Sequence, residues 1–194
     1  MADKLRTFVA VEVPQEAKNS MGKLAESLRQ RGMDSVRWVR PQGIHLTLKF
    51  LGNVEPSQVG NLLKAIRNAA SDARAFALNL AEPGVFPNPR NTRVVWVGLG
   101  GNLEALGTLQ KGLESHIKSL GFPPEARAFT PHLTLGRIHG TPPPQELATL
   151  AQALKEEGNG PEATWRVKKI HLIQSTLTPQ GAIYTTLGTE SLSD

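Results

Sequence analysis

Apolar and polar positions along this 194-residue chain shift from alternation to helical spacing and back several times. Residues 5–13 are rich in apolar and β-branched side chains and stop at Pro14, which predicts a largely buried strand. From 15 to 31, Ala17, Met21, Leu24 and Leu28 fall on one helical face, and Gly32 supplies a left-handed stop. Residues 35–40 predict a short strand, Pro41-Gln42-Gly43 a turn, and the next stretch to Gly52 a second apolar strand. Pro56 opens a helix that aligns Val59, Leu62, Leu63, Ile66 and Ala70, and a weaker strand follows at 76–80. Residues 83–91, punctuated by Pro83, Pro87 and Pro89, predict a loop and the boundary between two halves.

Beyond that boundary the order repeats. A strand at 93–99 leads to a helix capped by Asn102 and closed by Gly121, with Leu103, Leu106, Leu113, Ile117 and Leu120 as its apolar positions. A short extended piece at 126–129 and a strand from His132 come next, then a helix opened by Pro142 to Pro144 and strands at 165–173 and 182–187. Both halves therefore read strand, helix, short strand, strand, helix, strand, with repeat units at about 5–82 and 93–174 of a single domain spanning 1–194. His45-Leu46-Thr47-Leu48 recurs as His132-Leu133-Thr134-Leu135, 87 positions later. Strict alternation puts His45, Thr47 and Lys49 on one face and Leu46, Leu48 and Phe50 on the other. In the second copy His132 and Thr134 oppose Leu133 and Leu135, and Arg137 falls on the leucine side unless the strand ends or bulges. A duplication with pseudo-two-fold symmetry would set the two motif strands across a groove.

Composition narrows the chemistry. The chain has no cysteine, which excludes thiol catalysis, disulfides and thiolate zinc sites, and fits a reducing cytoplasm. No apolar run reaches the ~18 residues of a membrane span, and Met1-Ala2-Asp3-Lys4 runs directly into the first strand, so an unexported, cytoplasmic protein is expected. The net charge of +5 favours polyanionic partners such as nucleic acid.

Two histidines on matched strands can divide acid and base work, because imidazole titrates near neutrality. One deprotonates a nucleophile while the other protonates a departing oxygen, the division needed for in-line displacement at phosphorus. Thr47 and Thr134 would offer hydroxyls to the non-bridging phosphoryl oxygens. A lone strand histidine is usually structural, and that is the reading for His171; His116 and His139 are expected at the surface. Two histidines without acidic neighbours at ligand spacing leave a metal short of ligands, so no metal is expected. Arg37, Arg40, Lys49, Arg90, Arg93 and Arg127 flank the motifs as candidates for backbone phosphates. Trp38, Trp96 and Trp165 sit in strand patterns and are expected in the core.

The paired motifs, in the contexts His45-Leu-Thr-Leu-Lys-Phe-Leu-Gly52 and Pro131-His-Leu-Thr-Leu-Gly-Arg137, resemble the 2H phosphoesterase superfamily, in particular its RNA 2′,3′-cyclic phosphodiesterases, also called 2′-5′ RNA ligases. The similarity extends to residues 6–11, 93–96, 175–181 and Tyr184. Gly136 stands where that family is expected to carry Ala, an exchange of one small residue for another. The resemblance implies an α+β fold of two lobes, each an antiparallel sheet with outer helices, around a central cleft. It implies hydrolysis of RNA 2′,3′-cyclic phosphate ends to 2′-phosphate, with His45 as proton donor, His132 as proton acceptor, and Thr47, Thr134, Arg137 and Lys49 on the substrate. No cofactor is implied, and a monomer is expected. The alternatives are 2′-5′ ligation at the same site and a non-catalytic RNA-binding module.

Overall fold

The computed structural model describes residues 3–179 and 181–194. Met1, Ala2 and Gln180, which enter the readings of the N-terminus and of residues 175–181, lie outside them. The chain forms β1 (Leu5–Val11), α1 (Gln15–Gln30), β2 (Val36–Trp38), β3 (Leu46–Val54), α2 (Val59–Ser71), β4 (Phe76–Phe86), β5 (Val94–Gly101), α3 (Leu103–Lys118), β6 (His132–Ile138), α4 (Pro144–Glu156), β7 (Thr164–Val167), β8 (Lys169–Thr178) and β9 (Gly181–Ser191). The α1 helix buries the stripe its spacing predicts, Ala17, Met21, Leu24 and Leu28; α3 buries Leu106, Leu113 and Ile117 of its stripe, while Leu103 is 41% exposed and Leu120 lies beyond the helix. Gly32 adopts the positive φ that ends α1, and the Asn102 side chain accepts from the Ala105 N–H at the start of α3.

The strands make two antiparallel sheets, ordered β3-β1-β8-β9 and β2-β6-β5-β4-β7. The α+β class and two-sheet architecture expected from the sequence are present, but the sheets do not follow the sequence halves. β1 and β3 share a sheet with β8 and β9 from the end of the chain, through the pairing of β1 with β8, while β4 joins β5 and β6. The exchange is made at Lys168: residues 165–173, expected as one strand, are two, β7 on one sheet and β8 on the other. Helices cross as well. α2 and α3 pack together on the four-stranded sheet, whereas α1 contacts β6 and is joined to α4 by the Arg31–Glu156 ion pair. Leucines from both motif strands enter one apolar core, Leu46 and Leu48 with Leu133 and Leu135.

Two further expectations change. Residues 126–129 form no strand; the place beside β6 is taken by β2, from the other half. Pro83 to Phe86 belong to β4, so the loop between halves shrinks to the turn around Pro89–Asn91. A register shift between Leu80 and Pro83 lets β4 accommodate Pro83. No helix among the described residues is long and apolar enough to cross a membrane.

Candidate active site

β3 and β6 are adjacent, one from each sheet, and both carry the same irregularity. β1 pairs Val9 with Lys49 and Ala10 with Thr47, leaving Leu48 as an extra residue. β5 pairs Val95 with Gly136 and Trp96 with Thr134, leaving Leu135 as its counterpart. Each bulge rephases the alternation by one position. Leu48 and Lys49 are both buried, as are Leu135 and Gly136, and beyond the bulge Phe50 and Arg137 return to the motif face. Phe50 packs 6.0 Å from Phe8, whose ring lies 5.7 Å from His45. Arg137 lies in one cross-strand row with Val94 and Phe86, and the Phe86 ring stands edge-on to His132 at 5.0 Å. The bulge thus brings Arg137 to the face of His132 and Thr134.

It removes Lys49 from that face. Lys49 is 4% exposed, pairs with Glu114 of α3 at 2.7 Å and donates to the Pro123 carbonyl at 2.9 Å. The expectation that Lys49 shares the face of His45 and touches substrate is therefore corrected: its ammonium is held on the helix side. At the matching position of β6, Gly136 has β2 against it, and a Cβ there would come 2.5 Å from Val36 Cγ1 and 3.1 Å from Trp38 Cε3. Alanine at 136 is not an innocent exchange in this chain.

Both imidazoles are fixed by one device. His45 Nδ1 donates to the Gly43 carbonyl at 3.1 Å and His132 Nδ1 to the Thr130 carbonyl at 2.7 Å, each two residues upstream. A carbonyl only accepts, so the proton sits on Nδ1 and Nε2 is left for chemistry, as a base in the neutral ring and an acid in the charged one. Thr47 and Thr134 are half-buried, and among the described residues neither hydroxyl has a protein hydrogen-bond partner. Burial pushes the His45 pKa down to about 4, helped by the positive charge of Lys18 and opposed by the Gly43 carbonyl.

Aromatic rings frame the histidines. Tyr184 and Phe8 meet His45 edge-on, at 4.9 and 5.7 Å, and Tyr184 also meets Phe8 at 5.8 Å. On the other sheet Trp96 lies 6.5 Å from His132 and 5.0 Å from Phe86. A Cβ at Gly84 would strike the Trp96 ring at 2.4 Å, so glycine there lets the indole lie flat on β4. Trp96, expected in the core, is on the face of His132 and Thr134. His171 pairs across β1 with Ala10 and hence lines up with Thr47 on the same face. Its Nδ1 contacts Thr189 Oγ1 at 2.9 Å and its Nε2 lies 3.7 Å from Glu12, and burial lowers its pKa. His116 and His139 are outside this region, His116 beside Asp72 at 3.6 Å. Phe8, Tyr184 and Phe86 carry no local signal of a site; only the strand pairings bring them to the histidines.

A depression of about 430 Å³ between β4 and the end of α4 is lined by Glu82, Pro83 and Lys155 among others, and neither motif histidine lines it. The paired motifs lie side by side where β3 and β6 meet, one from each sheet.

The LigT like Phosphoesterase family matches residues 11–96 and 100–184, one span for each motif. The chain belongs to this family. A relative from Methanothermobacter thermautotrophicus, named RNA 2′,3′-cyclic phosphodiesterase, is 35% identical over 94% of this chain and 96% of its own length. An Aeropyrum pernix protein of the same name is 37% identical over 86% of this chain and 92% of its own. Among solved structures, a Thermus thermophilus protein aligns with a TM-score of 0.78 at 26% identity, covering 96% of this chain and 97% of that one. E. coli LigT in its apo form aligns over the whole of both chains with a TM-score of 0.76 at 23% identity, a likeness of fold.

Proposed function

We propose that this chain hydrolyses 2′,3′-cyclic phosphate ends of RNA to 2′-phosphates, without a metal, through His45 and His132, acting as a monomer in the cytoplasm. The observation that carries the proposal is the duplicated device: two imidazoles with Nδ1 tied to the carbonyl two residues upstream, each followed by a threonine on a bulged strand. The relatives named for this activity supply the substrate class.

In the proposed step, His132 Nε2 takes a proton from water as its oxygen bonds to phosphorus. The bond from phosphorus to the 3′ oxygen breaks, and that oxygen receives the proton of His45 Nε2. Thr47 and Thr134 donate to the non-bridging oxygens, and Arg137 faces the charge that develops on them. Afterwards His132 loses its proton to solvent and His45 regains one. With its pKa near 4, His45 is neutral in the empty site at pH 7, so this role requires the phosphate anion to recharge the ring as it enters. The opposite division, His45 as base and His132 as acid, uses the same atoms.

The test is turnover of an oligonucleotide ending in a 2′,3′-cyclic phosphate, in chelator, with the position of the product phosphate determined. The expected product is the 2′-phosphate, and His45→Ala and His132→Ala should each lose about 10²-fold or more in kcat. Undiminished hydrolysis in both variants sinks the two-histidine mechanism, and dominance of joined over opened products in dilute solution would favour ligation. Binding without any product would favour the non-catalytic module.

A further inference from the structure

β2 breaks the pseudo-two-fold relation between the sheets. In the four-stranded sheet β3 is an edge, and Phe50 stands 62% exposed with no strand beyond it. In the five-stranded sheet β6 has β2 outside it, and the register sets Arg37 opposite Arg137. Directly opposed residues of an antiparallel pair project to one face, with Cβ atoms about 4.5–5.5 Å apart. Val36 and Trp38 lean on Gly136 from the helix side, so Arg37 projects with Arg137 onto the face of His132 and Thr134. Both arginines are exposed, and among the described residues neither takes part in an ion pair.

Like charges directly across a strand pair repel, and among the described residues no carboxylate is within ion-pair distance to relieve them. An anion lying over both would, and the forked guanidinium suits phosphate oxygens. We infer that Arg37 and Arg137 form a second phosphate subsite, which holds the backbone phosphodiester next to the reacting cyclic phosphate. Arg137, one rephased step from Thr134, faces the reacting group; Arg37, one strand farther out, takes the neighbouring phosphate. The subsite rests on the cyclic phosphodiesterase reading and deepens it, because it selects ends of RNA chains over free cyclic nucleotides and sets the direction in which the chain leaves the cleft: over β6 and β2.

The test compares 2′,3′-cyclic AMP with a dinucleotide ending in a cyclic phosphate, which adds one internal phosphodiester. In Arg37→Gln the ratio of kcat/KM for dinucleotide over mononucleotide should fall about tenfold through KM, with Arg37→Lys in between. The salt dependence of kcat/KM for the dinucleotide should become shallower by roughly one phosphate contact. An unchanged ratio overturns the subsite, and so does an equal loss on both substrates. If the wild-type chain turned over neither substrate, the phosphodiesterase reading would fail instead. The subsite is then read by titrating a dinucleotide 2′-phosphate against adenosine 2′-phosphate, where Arg37→Gln must narrow the difference in affinity for the inference to stand.

Discussion

β3 and β6 each carry a threonine and a bulge, with a histidine just before the first strand and at the start of the second, yet the positions after the bulge differ in both directions. Inward, β3 sends Lys49 to Glu114, while β6 has Gly136 and admits β2. Outward, β3 shows the ring of Phe50 and β6 the guanidinium of Arg137. One strand inward, Ala10 on β1 corresponds to Trp96 on β5, and His171 on β8 to Gly84 on β4. The two lobes therefore have in common the groups that the proposed reaction uses to move protons and hold phosphoryl oxygens. Under that proposal, an asymmetric substrate would be oriented by what surrounds them: an aromatic, polar surface on one side and a cationic rim on the other.

The largest effect tests the shared part. If the two histidines act on one phosphorus in one step, they form a unit, and the losses do not add. His45→Ala/His132→Ala should be no more than about tenfold slower than the poorer single variant, whereas independent sites would multiply two losses of about 10²-fold or more. Single-turnover rates, with thermal unfolding as a check on folding, decide between them.

The inward difference comes next. Lys49→Met leaves the largely buried Glu114 carboxylate without its partner, which should cost about 3 kcal/mol in stability. Lys49→Met/Glu114→Leu should recover most of it in urea unfolding. KM for a cyclic mononucleotide should stay within about twofold, because the ammonium is on the helix side; a selective rise in KM for RNA with stability intact would return Lys49 to the substrate. At the matching position, Gly136→Ala forces its new methyl against Val36 and should cost about 1–3 kcal/mol, with Val36→Ala restoring it.

Legibility in the sequence follows the range of the interactions. Helix faces are readable because their periodicity is local; Ala17, Met21, Leu24 and Leu28 need no knowledge of their partners. The histidine pair is readable because a motif repeated with its flanking elements is improbable by accident. Lys49, Phe50 and Arg137 are not placed correctly by alternation, because their directions depend on bulges, and a bulge is a relation between two strands. Nothing between residues 46 and 50 marks Leu48 as the extra residue; the pairing with β1, far earlier in the chain, does. The partnering of β1 with β8 is hidden for the same reason, and with it the approach of Tyr184 to His45.

The smallest effect concerns the half-buried histidines on the side of the four-stranded sheet, His45 and His171. His45 in the folded chain titrates near 4, against 6.5 for an ordinary histidine, so between those values the unfolded chain binds a proton that the folded one refuses. Unfolding then takes up protons, and stability falls as pH drops from about 6.5 toward 4, being fully present above that window. His171, also pushed down by burial although Glu12 opposes it, contributes with the same sign. Thermal unfolding of the wild-type chain should decline by a few degrees between about pH 6.5 and 5. His45→Gln should flatten that slope in part, and His45→Gln/His171→Gln further, while the ion pair of Arg31 with Glu156, whose carboxyl is held below its ordinary value, is lost only at lower pH. A wild-type slope that survives both substitutions would mean that neither imidazole is desolvated in solution, and that this side of the cleft stands open to water before the phosphate arrives.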